Sequence, residues 1–442
     1  MARGIRAPRR RARGMRLDGG AALTALALAA GVACSPATAA TPATSYRCDR
    51  LASAQPPLLQ GRDGWFFRPA DLAEFYVPSK ETLRLLGRLS GDLAARGTRL
   101  LMMPVPPRGL VASDRLDAAA GEAALFAPDE AAAEYRGLVA ALTAAGIAVV
   151  NLDPVRLRAE AKPAFFLARD PRWRPEGARL AAAIASPSIG RGGGLSAYRS
   201  LAVGTGEVAG AMQGDVNRLC AGPVPSERVP LFATTPPPGS GGDTAIVVAG
   251  DELAGDTASN FAGFLAEATG RPVTSAPAAG AGADSLLAYL DSSAFAVAPP
   301  TAILWQIMAA DLPRLDVAKL RRLIGAANGP CNRDGRLVAA GRATVTGSGE
   351  ILRPAPGDDR GSYVRLTFDE AAPRRVTIAV DYADGAVDSV SVDSAAPLPA
   401  TTTVALALSQ DFSAPIAAVR LVGLTGAAVG VTTDLCRARS AS

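Results

Sequence analysis

The chain has 442 residues, 49% of them hydrophobic and 20% charged, and it contains no histidine. That length supports a sizeable core in two domains, while the missing imidazole excludes HExxH zinc sites and every Ser-His-Asp or Cys-His device. The formal charge of +5 is an N-terminal effect: the first 40 residues hold seven arginines and one aspartate, leaving 39 basic and 40 acidic side chains, so neither nucleic acid nor an anionic membrane surface is an expected partner.

An arginine-rich stretch from Arg3 to Arg16, an apolar run from Ala21 to Ala33 and the small residues Pro36 to Ala40 read as a secretory signal over residues 1–40, cleaved after Ala39 or Ala40. Cys34 is a poor lipid attachment site, because Gly31 stands three residues before it where a large aliphatic is wanted. No later stretch reaches the roughly 18 apolar residues that a membrane span needs. With Cys34 removed, four cysteines remain for an oxidising compartment, and disulfides are expected. Of three possible pairings, position favours Cys48 with Cys220 and Cys331 with Cys436, since the second pair brackets a segment of different texture. Neither pair has CxxC spacing, which argues against redox catalysis.

Between about residues 60 and 325, helical periodicity alternates with short apolar runs. Ser79 is a helix N-cap candidate, with Leu86, Leu89 and Leu93 on one face and Gly97 at the stop. Arg99 to Pro104 suits a buried strand. A helix from Asp129 to Ala145 and a strand from Ile147 to Leu152 repeat the unit, as do Ala245 to Val248, a helix from Asn260 to Thr269, and Ala302 to Ile307. This predicts an α/β domain with a mainly parallel sheet covered on both faces, its working residues on the loops after the strands' carboxyl ends. The Thr234–Gly242 and Ile189–Gly194 segments read as surface loops. After Cys331 two-residue alternation takes over, in Val376–Tyr382, Ser389–Val392 and Thr403–Leu408, and predicts an all-β sandwich of about 110 residues.

Three stretches carry a family resemblance. Gly61-Arg-Asp-Gly-Trp-Phe-Phe67 is the first, Asp170-Pro-Arg-Trp-Arg-Pro-Glu-Gly-Ala178 the second, and Val247-Val-Ala-Gly-Asp-Glu-Leu253 with Asn260-Phe-Ala-Gly-Phe-Leu265 the third. In this order and spacing they resemble the alginate O-acetyltransferases of the AlgX/AlgJ type, periplasmic relatives of the SGNH hydrolases. The resemblance implies an SGNH-like domain over residues 41–330 and a carbohydrate-binding-module-like sandwich over 331–442. It also implies a periplasmic or secreted location, a uronate-rich, alginate-like polysaccharide ligand, and secretion-complex proteins as partners. No cofactor or metal is implied.

The family's chemistry needs an aspartate that orients a histidine, which takes the proton from a serine. Here the aspartate position is kept as Asp170, but the histidine position is Arg172 and the serine position is Glu252. Arginine cannot act as the base, and a carboxylate is a far weaker nucleophile than an activated alkoxide. The triad positions therefore read as a structural ion cluster of Asp170, Arg172 and Glu252, with Asp251, Trp173, Gly250 and Gly282 as possible cleft residues. Glycoside cleavage by Asp251, Glu252 and Asp170 needs one carboxyl held protonated, which a nearby cation opposes. Ser259 or Ser285 as a displaced nucleophile would still lack a histidine. Trp173 is expected in the core or a cleft wall, and Trp305, at the end of a buried strand, in the core. The sandwich has four aromatics, Tyr363, Phe368, Tyr382 and Phe412, and sugar stacking needs exposed rings. The expected function is a non-catalytic polysaccharide-binding or assembly component. An acetyltransferase with an unconventional site and a protein-interaction scaffold without sugar affinity are the alternatives.

Overall fold

Apolar runs and amphipathic helices assemble, in the computed structural model, into an α/β layer followed by a β-sandwich. The structure describes residues 46, 48, 51–117, 125–159, 165–190, 198–221, 224–237, 246–276, 282–332, 334–355, 361–371, 373–394 and 402–439. The expected signal segment and Cys34 lie outside these residues, as do most of the two expected glycine-rich loops.

The short strands β1 (Leu59–Gln60) and β2 (Phe66–Phe67) form an antiparallel ribbon around the first motif. Helix α1 (Lys80–Ala94) starts where the Ser79 side chain accepts from the Thr82 amide, and buries Leu85, Leu86, Leu89 and Leu93. Strand β3 (Arg99–Val105) follows, buried at every position after Arg99. Then come α2 (Arg108–Val111), α3 (Pro128–Ala144), β4 (Ala148–Val149), α4 (Asp153–Ala159) and α5 (Pro175–Ile189). The strand expected over Ile147–Leu152 shrinks to two residues because only Leu101 and Met102 of β3 offer it a partner. An unforeseen antiparallel pair, β5 (Arg199–Val208) and β6 (Glu227–Thr235), encloses α6 (Gln213–Leu219). The layer closes with β7 (Ile246–Ala249), α7 (Glu252–Gly255), α8 (Phe261–Thr269), β8 (Val273–Ser275), α9 (Gly282–Leu290), α10 (Ser293–Val297), β9 (Ala302–Met308) and α11 (Val317–Asn328). The main sheet runs β4-β3-β9-β7-β8 with all pairs parallel, and the third motif begins on β7 and continues past its carboxyl end, where open α/β sheets carry their working loops.

The sandwich has two four-stranded antiparallel sheets and its own apolar core. One contains β10 (Leu337–Val345), β12 (Tyr363–Phe368), β15 (Thr403–Ala407) and β17 (Val429–Cys436). The other contains β11 (Gly349–Leu352), β13 (Arg375–Tyr382), β14 (Val387–Asp393) and β16 (Ile416–Val422). Both expected disulfides are formed, Cys48–Cys220 and Cys331–Cys436, the second joining the entry of the sandwich to the end of its last strand. Helix α11 packs on α1 and on β15. At that junction Gly325 lets the chains approach: a Cβ there would stand 2.6 Å from the Ala405 carbonyl carbon. Arg321 reaches across to Asp388 with two hydrogen bonds of 2.8 and 2.5 Å and to the Ala407 carbonyl. Among the described residues no helix is long and apolar enough to cross a membrane.

Candidate functional site

The loop before α5 places the second motif. Its backbone doubles back, with the Leu167 amide donating to the Arg172 carbonyl and the Arg174 amide to that of Phe165. A carboxylate from β6 fastens the loop: Glu227 accepts from the Ala168 and Arg169 amides at 3.0 and 3.1 Å and lies 3.6 Å from Arg174. From beneath, the fully buried Arg108 donates to the Phe66, Leu167 and Ala168 carbonyls and to Asp71. That one guanidinium joins the first motif to the second.

On this loop Asp170 is fully buried and its acceptor sites are filled. Arg172 donates Nε to Oδ1 and Nη2 to Oδ2, each at 2.9 Å, and its backbone amide to Oδ1 at 2.7 Å; the Ala211 amide takes Oδ2 as well. Arg172 also donates to the Ala209 carbonyl at 3.0 Å. A second carboxylate stands 3.6 Å from its Nη1, and it belongs to Asp256. Sequence reasoning put Glu252 there. The Glu252 side chain lies outside the described residues, and the acid found beside the cation is the one just past α7. Asp256 is itself fixed by the Ser259 amide at 3.1 Å. The signal that could have found it is its position at the end of the turn that begins with Asp251 and Glu252.

The other candidates have structural tasks. Asp251 caps α7 by accepting from the Leu253 amide. Trp173, proposed as a cleft residue, is only 2% exposed, with its ring against Phe165 and Phe261; aromatic packing takes the faces that a sugar would need. Trp305 is core and donates to the Gly282 carbonyl. Gly250 and Gly282 both press against Gln306, a residue that the sequence did not single out. Ser259 and Ser285 are buried. The Ser259 hydroxyl donates to the Asp256 carbonyl, and the Ser285 hydroxyl accepts from the Gly250 amide. Among the described residues no group of side chains is suited to hold a metal.

In the sandwich Tyr363, Phe368 and Tyr382 are buried, and Phe412 is half-buried and stacked on Tyr382. The outer face of the β13–β14–β16 sheet carries paired polar groups instead, including Arg420 with Asp381, Arg375 with Asp393 and Thr377 with Ser391.

The α/β layer that carries this site has known relatives. The family model for the SGNH hydrolase-like domain of acetyltransferase AlgX covers residues 58–309. The chain belongs to this family. It is 31% identical over 264 residues to the alginate biosynthesis protein AlgX of Pseudomonas aeruginosa, a match spanning 56% of this chain and only 55% of that protein. It is 24% identical to the protein of the same name from Pseudomonas putida, over 76% of this chain and 74% of that one. The solved structure of P. aeruginosa AlgX superposes with a TM-score of 0.70 at 25% identity, covering 86% of this chain and 94% of that chain. The O-acetyltransferase domain of P. putida AlgJ shares the fold of the α/β part, with a TM-score of 0.50 at 22% identity, covering 62% of this chain and 99% of that one. The AlgX family's α/β plan with trailing antiparallel sheets is therefore the plan of this chain.

Proposed function

We propose that this chain is an exported, non-catalytic member of the AlgX family that binds polysaccharide or serves as an assembly component where an alginate-like polymer is acetylated or secreted. The observation that carries this reading is the bidentate pair between Arg172 and Asp170. An aspartate whose lone pairs are occupied by its own neighbour cannot orient a base, and a guanidinium cannot accept a proton. The family's fold without the proton-transfer parts leaves binding as the use of this end of the sheet. The two disulfides fit an oxidising compartment outside the cytoplasm.

One observation favours a division of labour. The sandwich holds its rings inside and its outward charges in pairs, which supports a scaffolding role there and favours the α/β layer for sugar contacts. Calorimetric titration of the mature protein with mannuronate oligomers tests the reading, beside the sandwich mutated on its outer face. Saturable binding that survives Arg420→Ala and Arg375→Ala supports it. No binding by the wild type would leave the protein-interaction scaffold as the better account.

A further inference from the structure

Gln306 lies near the carboxyl end of β9, the central strand of the parallel sheet, and is fully buried. Neither its Oε1 nor its Nε2 meets a hydrogen-bonding partner in the protein. No other described side chain combines a buried donor and a buried acceptor that both go unmet. Its partner across the sheet is Met103, and Trp305 and Ile307 flank it. An amide unbonded in such surroundings costs roughly 2–7 kcal/mol relative to water, and methionine would fill a similar volume without that cost. No structural bond of the side chain offsets it.

The strand end around Gln306 is closely covered by backbone. A Cβ on Gly250 would stand 2.7 Å from the Gln306 carbonyl oxygen and 3.0 Å from its Cβ, and one on Gly282 would stand 3.2 Å from the same oxygen. Two glycine backbones, one from the turn that carries Asp251 and one from the start of α9, thus close over the strand end with no side chain between. Open α/β sheets take their ligands at this end. Of the charged groups described beside it, Arg172 is bound to Asp170 and Asp256 to backbone amides, which favours a neutral ligand group.

We propose that Gln306 is the floor of a sugar subsite beneath the Gly250–Asp251 turn, its amide recognising a vicinal pair of hydroxyls on a pyranose. One hydroxyl donates to Oε1, and the oxygen of its neighbour accepts from Nε2, so one planar amide is satisfied by one diol. The single turn of α7 moves aside to admit the ring. An acetyl ester on the donating hydroxyl removes the proton that Oε1 needs, so the subsite prefers the unacetylated sugar. This deepens the polysaccharide-binding reading and rests on it.

The test compares the wild type with Gln306→Met and Gln306→Leu by thermal unfolding and by calorimetric titration with mannuronate oligomers, unacetylated and fully O-acetylated. The expected result is a higher melting temperature for a variant that still folds, at least tenfold weaker binding of the unacetylated oligomer, and wild-type preference for that oligomer over the acetylated one. Unchanged binding by the folded variants overturns the subsite. A lower melting temperature for both variants also overturns it, since the amide would then be satisfied within the folded protein alone. Should the wild type ignore mannuronate, the polysaccharide reading fails on its own, and β-1,4-linked mannose oligomers, which carry the same diol without the carboxylate, are titrated into the same proteins. Binding lost in the variants then keeps the subsite, and no wild-type binding removes it.

Discussion

Two arginine–carboxylate pairs of the same fork geometry stand in regions with different duties. Arg321 and Asp388 join helix α11 to the sandwich, and both side chains are about 8% exposed. Arg172 and Asp170 sit two residues apart on the loop at the ligand end of the sheet, the arginine 22% exposed and the aspartate sealed. At the junction the pair bridges segments 67 residues apart in sequence, so its loss unfastens two cores. On the loop it joins two residues of a single turn, and its loss should alter the site more than the architecture. Ion-pair chemistry alone does not distinguish a junction from a candidate site; position in the fold does.

The junction should break most expensively. Arg321→Ala leaves Asp388 buried without its cation and should cost about 3–5 kcal/mol in denaturant unfolding; a loss under about 1 kcal/mol would mean that the junction is held by packing alone. Arg172→Ala should cost less, about 2–3 kcal/mol, because the arginine is part exposed and Asp170 keeps the Arg172 and Ala211 amides as donors. No melting shift at all would sink the idea that this cluster is structural. Gly325→Ala drives a Cβ into the backbone of β15 and should cost about 1–3 kcal/mol, measured as a lower denaturation midpoint that Arg172→Ala leaves additive, since the sites share no partner.

The smallest effect is a pH dependence at the end of α9. Desolvation by the surrounding chain pushes the Asp291 carboxyl up to about 6 from its ordinary 3.8, against the pull of Arg322 and Arg365, but the side chain is still about a third exposed, and solvent screening keeps the effect small. The folded chain then holds this proton more tightly than the unfolded chain, so stability falls as pH rises from about 4 through about 6. Asp291→Asn should therefore be the more stable form at pH 8, with the advantage gone at pH 4. A wild type that is more stable at pH 8 would show that its pair with Arg322, 3.9 Å away, outweighs the burial.

The elements that sequence made legible are those whose pattern is local. Ser79 with its leucine face, the apolar run of β3, and the alternation in β13 and β14 each encode their own state within a few residues. The β5–β6 pair was not legible, because its registration depends on strands separated by α6 and on Glu227 anchoring a distant loop. At the site, Asp170 and Arg172 were readable as a pair through the family resemblance, which sets them at its aspartate and histidine positions. Asp256 was not, since only the turn of α7 brings it to the guanidinium. Gln306 was hidden for a related reason: in a strand of buried residues a single polar side chain reads as an interruption, and only the glycines folded over it show where it lies. Trp173 lies in the core, one of the two places expected for it, while its packing against Phe165 and Phe261 is nothing that a motif records.

The central claim is that Arg172 and Glu252 have ended acetyl transfer at this site. It is tested most directly by incubating the wild type and the Arg172→His, Glu252→Ser double variant with an acetyl-ester donor and mannuronate oligomers, following acetate release and ester formation together. The account predicts that the wild type matches a heat-killed control. Wild-type turnover above that control, lost in Asp170→Ala, would contradict it, whatever the double variant does.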